Sequence, residues 1–296
     1  VTPGQGTAAG VPFGDRLAQV FAERGRLCVG IDPHAWLLSD WGLPDSAAGA
    51  EAFGRRVVEA SAGRAGIVKP QVAFFERFGS AGYAALERVL TDAREAGLLV
   101  IADVKRGDLG TSVEAYGQAW LGAGSPLEVD AITVNAYMGV GSLDAVLDLA
   151  GAGGKGVFVL SATSNPEAAA IQRAVVAEGS GAGSTIARAI LDDVADRNLR
   201  AGDGPLGSIG VVLGATLDLA GFGIDVAATQ AGPLTPVLAP GFGHQGAQVA
   251  DLEKLYGGYA GGVIVSESRS VLGAGPDRLD ETIARRVAEA GAARGR

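Results

Sequence analysis

Residues 103–108, Asp-Val-Lys-Arg-Gly-Asp, place two carboxylates and a lysine just beyond the apolar run at residues 98–102. In an extended segment residues two apart face the same way, so Asp103 and Lys105 project together from the carboxyl end of that run. Asp108 follows Gly107 in a turn and can face elsewhere, toward another chain included. Lys69 ends a second apolar run, residues 66–68, just before Pro70. Two lysines and two acids can make one alternating charge cluster, in which an ammonium can steady developing negative charge or deliver a proton. The plainer reading is a solvated loop of ion pairs, each worth about 0–1 kcal/mol. The rest of the chain separates the two.

Eight short apolar runs, at residues 27–31, 66–68, 98–102, 131–134, 156–160, 209–213, 237–239 and 262–265, lie along the sequence. They do not alternate polar with apolar, which suits strands buried on both faces of a parallel sheet. Helix-like stretches separate them, among them 12–24, 46–62, 82–96, 112–121, 142–150 and 185–198. This pattern predicts an α/β fold, a (β/α)8 TIM barrel, whose chemistry sits on the loops after the strands' carboxyl ends. The polar residues follow that rule: Asp32 comes after the first run, Lys69 after the second, Asp103 and Lys105 after the third and Asn135 after the fourth. Ser161, Thr216, Gln245 and Arg269 come after the fifth to eighth. Residues 164–207 exceed what one unit needs and read as an insertion after strand five with one or two extra helices, opening on a cover at 162–166. Residues 1–296 are expected to form one barrel domain, with 1–10 a flexible terminus.

Composition narrows the function. A chain of 296 residues, 48% hydrophobic, can bury one large core, and its 47 glycines show no repeat period. A formal charge of -9 argues against nucleic-acid or anionic-membrane partners, although a local cationic pocket is allowed. Cys28 is the only cysteine and sits in an apolar run, where a packed thiol is expected. His34 and His244 lack metal-ligand spacing, so no metal is expected. His34, Trp36 and Trp41 read as part of the first loop or a surface patch. No apolar run approaches the roughly 18 residues of a membrane span, and the amino terminus lacks a basic stretch followed by an apolar core, so the expected address is cytoplasmic.

After the seventh run comes Pro-Gly-Phe-Gly-His-Gln-Gly, residues 240–246, then a helix-like stretch to Leu255. Glycines let backbone N–H groups approach an anion, and barrels often bind phosphate with the loops after strands seven and eight. Gln245 can donate from its amide, and Arg269 suits bidentate phosphate contact. His244 either touches that phosphate or faces solvent. The loop also matches the dinucleotide pattern G-x-G-x-x-G, with Glu267 downstream, but that motif should open the first βαβ unit of a doubly wound domain and here it comes late.

With these residues assembled, the chain resembles the orotidine 5'-phosphate decarboxylase family over about residues 27–273. The family's D-x-K-x-x-D pattern appears as Asp103, Lys105 and Asp108, followed by Thr111, and its partner lysine as Lys69. Its strand-one aspartate matches Asp32, its pyrimidine-side serine Ser161, and its phosphate glutamine and arginine Gln245 and Arg269. DVKRGDLGTS and LSATSNP resemble the branch with longer chains, to which the insertion also belongs. Val-Ser-Glu-Ser-Arg, residues 265–269, departs from the family's short Gly-Arg form, and Asn135 and Thr216 match no family role.

The resemblance implies conversion of orotidine 5'-monophosphate to UMP and carbon dioxide without metal or organic cofactor. It implies Lys105 as proton donor to C6, Asp103 beside the departing carboxylate, Lys69 between Asp103 and the ribose, and Asp32 on a ribose hydroxyl. It further implies a homodimer in which Asp108 and Thr111 complete the neighbour's site. A magnesium-dependent sugar-phosphate decarboxylase or aldolase on the same barrel is the alternative, separated by Asp108, by Ser161 and by metal dependence. A Schiff-base aldolase needs a lysine of lowered pKa, and neighbouring carboxylates work against that. A non-catalytic phosphate-ligand binding protein would need Gln245 and Arg269 but not the lysine and acid cluster.

Overall fold

Eight parallel strands close into one barrel in sequence order, each hydrogen-bonded to the next and the last to the first. The computed structural model describes residues 10–202 and 204–292, so all of the expected flexible terminus but Gly10 lies outside the described residues. The chain runs α1 (Phe13–Arg24), β1 (Leu27–Ile31), α2 (Ala35–Asp40), α3 (Ala47–Ser61), β2 (Ile67–Pro70), α4 (Ala73–Glu76), α5 (Gly79–Glu95) and β3 (Leu99–Arg106). It continues through α6 (Gly110–Leu121), β4 (Ala131–Val134), α7 (Asp144–Ala152), β5 (Gly156–Ala162), α8 (Ala169–Gln172), α9 (Ile186–Ala201) and β6 (Ile209–Leu213). β7 (Val237–Pro240), α10 (Leu252–Tyr256), β8 (Val263–Glu267), α11 (Arg269–Leu272) and α12 (Leu279–Ala292) complete it.

The strands read as unbroken apolar runs because both faces are covered. Alternate residues, such as Cys28, Ile67, Ile101, Phe158 and Ile264, fill the barrel interior, while Val29, Val68, Val100, Val157 and Val265 pack beneath the helices. The amino-terminal end is closed by α1, whose Phe13, Leu17 and Phe21 join the interior cluster. Phe13 meets Phe158 edge-on with ring centroids 5.9 Å apart. A Cβ at Gly156 would lie 2.5 Å from the Phe13 ring, so glycine there lets the plug seat. Fully burying each such ring contributes roughly 1.5–3 kcal/mol.

Strand β3 runs four residues past its apolar stretch and takes Asp103 and Lys105 into the sheet. The insertion is smaller than its sequence suggests. α9 packs on β5 and β6 as the ordinary fifth helix, leaving between β5 and α9 a short 3₁₀ turn (Pro166–Ala168), α8 and a bridge from Val175 to Thr185. Among the described residues no helix is long and apolar enough to cross a membrane.

Candidate active site

Asp103 is the centre of the charge cluster. Lys69 Nζ and Gln71 Nε2 each donate to Oδ2 at 2.9 Å. Lys105 Nζ donates to Oδ1 at 2.6 Å and Thr133 Oγ1 donates to the same oxygen at 2.8 Å. These four bonds fill the carboxylate's ordinary acceptor sites. The side chains of Asp103 and Lys69 are only 10% and 9% exposed, whereas Lys105 is 46% exposed. Asp103 and Lys69 are therefore fixed in the floor, and the Lys105 ammonium reaches open space. Burial pushes the Asp103 carboxyl up, but the Lys69 and Lys105 charges and their hydrogen bonds outweigh it and hold it well below the usual carboxylate range. Burial pushes Lys69 down, but Asp103 and then Asp32 reverse that and hold it above the ordinary lysine range.

Above the cluster opens a cavity of about 310 Å³ lined by Asp32, Lys69, Asp103 and Lys105 from the ends of β1 to β3 and by His244, Gln245 and Arg269 from the segments after β7 and β8. Its remaining wall is apolar where Leu160, Val212 and Leu238 come through from the barrel interior. Asp32 Oδ1 and Ser268 Oγ are both buried here without a hydrogen-bond partner, one an acceptor and the other able to donate or accept. Cys28 lies below, its thiol pushed up to about 12 by burial, consistent with a packed, inert side chain.

The β7 and β8 loops form the other end. Gly241 and Gly243 take φ of 119° and 70°, conformations that L side chains rarely adopt, and Gln245 follows in a 3₁₀ turn (Gly243–Gln245). Among the described residues Arg269 forms no ion pair, so its guanidinium is available to the cavity. Glu267 faces the opposite way, into the sheet–helix layer. There it pairs with Arg286 of α12 and accepts from Ser270 Oγ at 2.6 Å. It therefore cannot serve as the ribose acid of a dinucleotide site, and the G-x-G-x-x-G match is a turn after β7.

Asp32, Lys69, Asp103, Lys105, Gln245, His244 and Arg269 thus meet in one cavity, as their places after successive strands predict. Ser161 does not. It points outward from β5, and its Oγ donates to the Ala187 carbonyl of α9 at 2.8 Å. Ser164, three residues on, lines the cavity with Thr163 and Asn165. Period-two alternation carried the signal: Phe158 and Leu160 face inward, so Ser161 must face outward. Asp108 and Thr111 lie outside this cavity, and Asp108 Oδ1 accepts from Leu109 N at 2.8 Å. Asn135 serves a turn, accepting from Tyr137 N at 3.0 Å, and Thr216 is exposed beyond the cavity. His34 packs edge-on to Phe74 with centroids 4.2 Å apart and is likewise outside it. Gln71, Thr133, Ser164, Ser266 and Ser268 were not singled out by sequence; Thr133, Ser266 and Ser268 share the inward parity of their strands.

Fold and site together define a barrel enzyme with its polar machinery at the carboxyl ends of the strands, arranged around a lysine–carboxylate array. Sequence comparison narrows that class, because the profile of the orotidine 5'-phosphate decarboxylase / HUMPS family matches residues 25–281. The chain belongs to this family. It is 52% identical over 265 residues to the orotidine 5'-phosphate decarboxylase of Salinispora tropica, covering 90% of this chain and 91% of that one. The Corynebacterium glutamicum enzyme of the same name is 45% identical over 280 residues, covering 94% and 97%. Among solved structures, the OMP decarboxylase of Leishmania donovani superposes with a TM-score of 0.72 at 28% identity, covering 96% of this chain and 99% of that one.

Proposed function

We propose that this chain decarboxylates orotidine 5'-monophosphate to UMP and carbon dioxide, the last step of de novo pyrimidine nucleotide synthesis. The observation that carries the reading is Lys105 Nζ, held 2.6 Å from the buried Asp103 carboxylate and opening into a cavity that Gln245 and Arg269 also line. With phosphate on those two side chains, the nucleotide spans the mouth and its pyrimidine is directed toward Lys105. The C6–carboxylate bond breaks, its electron pair stays on C6, and a proton passes from Lys105 Nζ to C6. The ammonium favours negative charge that exists only as the bond breaks, which raises turnover rather than affinity alone. Asp103, kept ionised by its partners, repels the substrate carboxylate and not the neutral carbon dioxide it becomes. The apolar wall of Leu160, Val212 and Leu238 acts in the same direction, since carbon dioxide is less costly there than a carboxylate.

Lys69 bridges Asp103 and the ribose, and the unpartnered Asp32 Oδ1 accepts from a ribose hydroxyl. Ser164 takes the pyrimidine contact that Ser161 cannot reach. Asp108 and Thr111 complete the neighbouring subunit's site in a homodimer. Support for that arrangement comes from Leu109, Tyr116 and Tyr137, exposed apolar side chains on the adjoining β3 and β4 loops and α6. The test is loss of orotidine 5'-monophosphate absorbance on adding the purified protein with EDTA, beside Lys105→Ala. Metal-independent turnover lost in the variant is expected. Turnover only with magnesium restored, or none by folded protein, would overturn the proposal.

A further inference from the structure

The neighbourhood of Lys105 has an irregularity that one hydroxyl resolves. Between the paired positions Ala102–Ile132 and Arg106–Val134, β3 spends residues Asp103, Val104 and Lys105 where β4 spends Thr133 alone. Such a bulge takes backbone groups out of the ladder and re-aims a side chain. Among the described residues Lys105 is the only non-glycine in the left-handed region, with φ 46°. That conformation is strained for an L side chain and needs something to hold it. Its N–H, displaced from the sheet, donates to Thr133 Oγ1 at 3.0 Å. The same oxygen donates its own proton to Asp103 Oδ1 at 2.8 Å. A hydroxyl has one proton to give, so the incoming Lys105 N–H occupies its acceptor side and directs that proton to the carboxylate. Thr133 is 1% exposed, and bulk water does not compete for either bond.

We infer that Thr133 is a positioning residue for the reaction: it holds the Lys105 backbone in its left-handed turn and fixes the Asp103 carboxylate, so that the ammonium is aimed at the reacting carbon. This rests on the decarboxylase reading above. Gln71 also binds Asp103, but only Thr133 grips both partners at once. Thr133→Val keeps the bulk and removes both bonds, whereas Thr133→Ser keeps the hydroxyl. The experiment measures steady-state decarboxylation and UMP affinity for the wild type and both variants, with circular dichroism to confirm folding. Thr133→Val is expected to lower kcat about tenfold to a hundredfold, with UMP affinity within about twofold of wild type, and Thr133→Ser to recover most of the loss. Unchanged kcat in Thr133→Val overturns the inference. So does a serine variant as impaired as the valine one, which would mark a packing role, or a loss confined to affinity. Should Thr133→Val not fold, Thr133→Ala is read by the same criteria. A wild type without turnover removes the decarboxylase reading and this inference together; an active wild type with an equally active valine variant removes the inference alone.

Discussion

Gly243 and Ser270 approach so closely that a Cβ on the glycine would stand 2.7 Å from the serine Cβ. The contact seats the turn after β7 on the first turn of α11, and these two segments carry Gln245 and Arg269. Ser270 is in turn fastened to Glu267, and Glu267 to Arg286. The proposed phosphate rim is therefore braced from the outer helix layer.

Gly243→Ala should disturb that rim, because it combines a φ of 70° with overpacking. Affinity for UMP is expected to fall about tenfold or more, while affinity for uridine, which lacks the phosphate, stays near wild type. Calorimetric titration with both ligands reads the difference. Equal losses for the two would mean that these loops do not hold phosphate.

The two serines of the β5 end should separate cleanly. Ser161→Ala loses one buried bond to the Ala187 carbonyl, which costs stability of about 1 kcal/mol and leaves KM unchanged. Ser164→Ala, in the cavity wall, should raise KM or lower kcat with little change in melting temperature. The reverse pattern would return Ser161 to the substrate.

Protonation gives a third expectation. Asp103 is held below its ordinary value of 3.8, so its stabilisation is complete above that pH and is lost as pH falls through the depressed value. Lys69 is held above 10.5, so its contribution is complete below that pH and lost as pH rises through the raised value. The pair should therefore contribute a constant stabilisation from about pH 5 to pH 9. Asp103→Asn, which leaves Lys69 buried beside a neutral amide, is expected to cost about 3 kcal/mol at neutral pH and less toward acid. Urea unfolding at several pH values measures the gap; a gap that does not shrink as pH falls well below 3.8 would contradict the ionised Asp103 assigned here.

Subunit mixing tests the proposed sharing of sites between subunits. If Asp108 serves the neighbour, Lys105→Ala and Asp108→Ala mixed as equal amounts of inactive dimers should regain about a quarter of wild-type activity after exchange, since half the dimers are hybrids with one intact site. Recovery near zero would place Asp108 in its own subunit's site, and an Asp108→Ala protein active by itself would place it outside any.

Much of the site was legible because a barrel strand points every second residue inward. Cys28 in the interior puts Asp32 at the mouth, Ile67 puts Lys69 there, and Ile101 puts Asp103 and Lys105 there. The same count, applied to β5, rejects Ser161. What local sequence did not disclose depends on contacts between distant segments. The bulge opposite Thr133 arises from the pairing of β3 with β4, and nothing in Asp-Val-Lys-Arg announces a left-handed lysine. The outward turn of Glu267 at the end of β8 depends on Arg286, nineteen residues away on α12. The helix at 13–24 was readable from its pattern, but its use as a plug follows only from Phe13 meeting Phe158.

That plug governs traffic. With Phe13, Leu17 and Phe21 sealing one end, the cavity is a cul-de-sac, and everything that enters must leave by the way it came. In the proposed reaction, gas released beside Asp103 has no rear exit and travels outward past the ribose and phosphate of the nucleotide that produced it. Both departures share a single doorway, so any segment that shuts it times the two together.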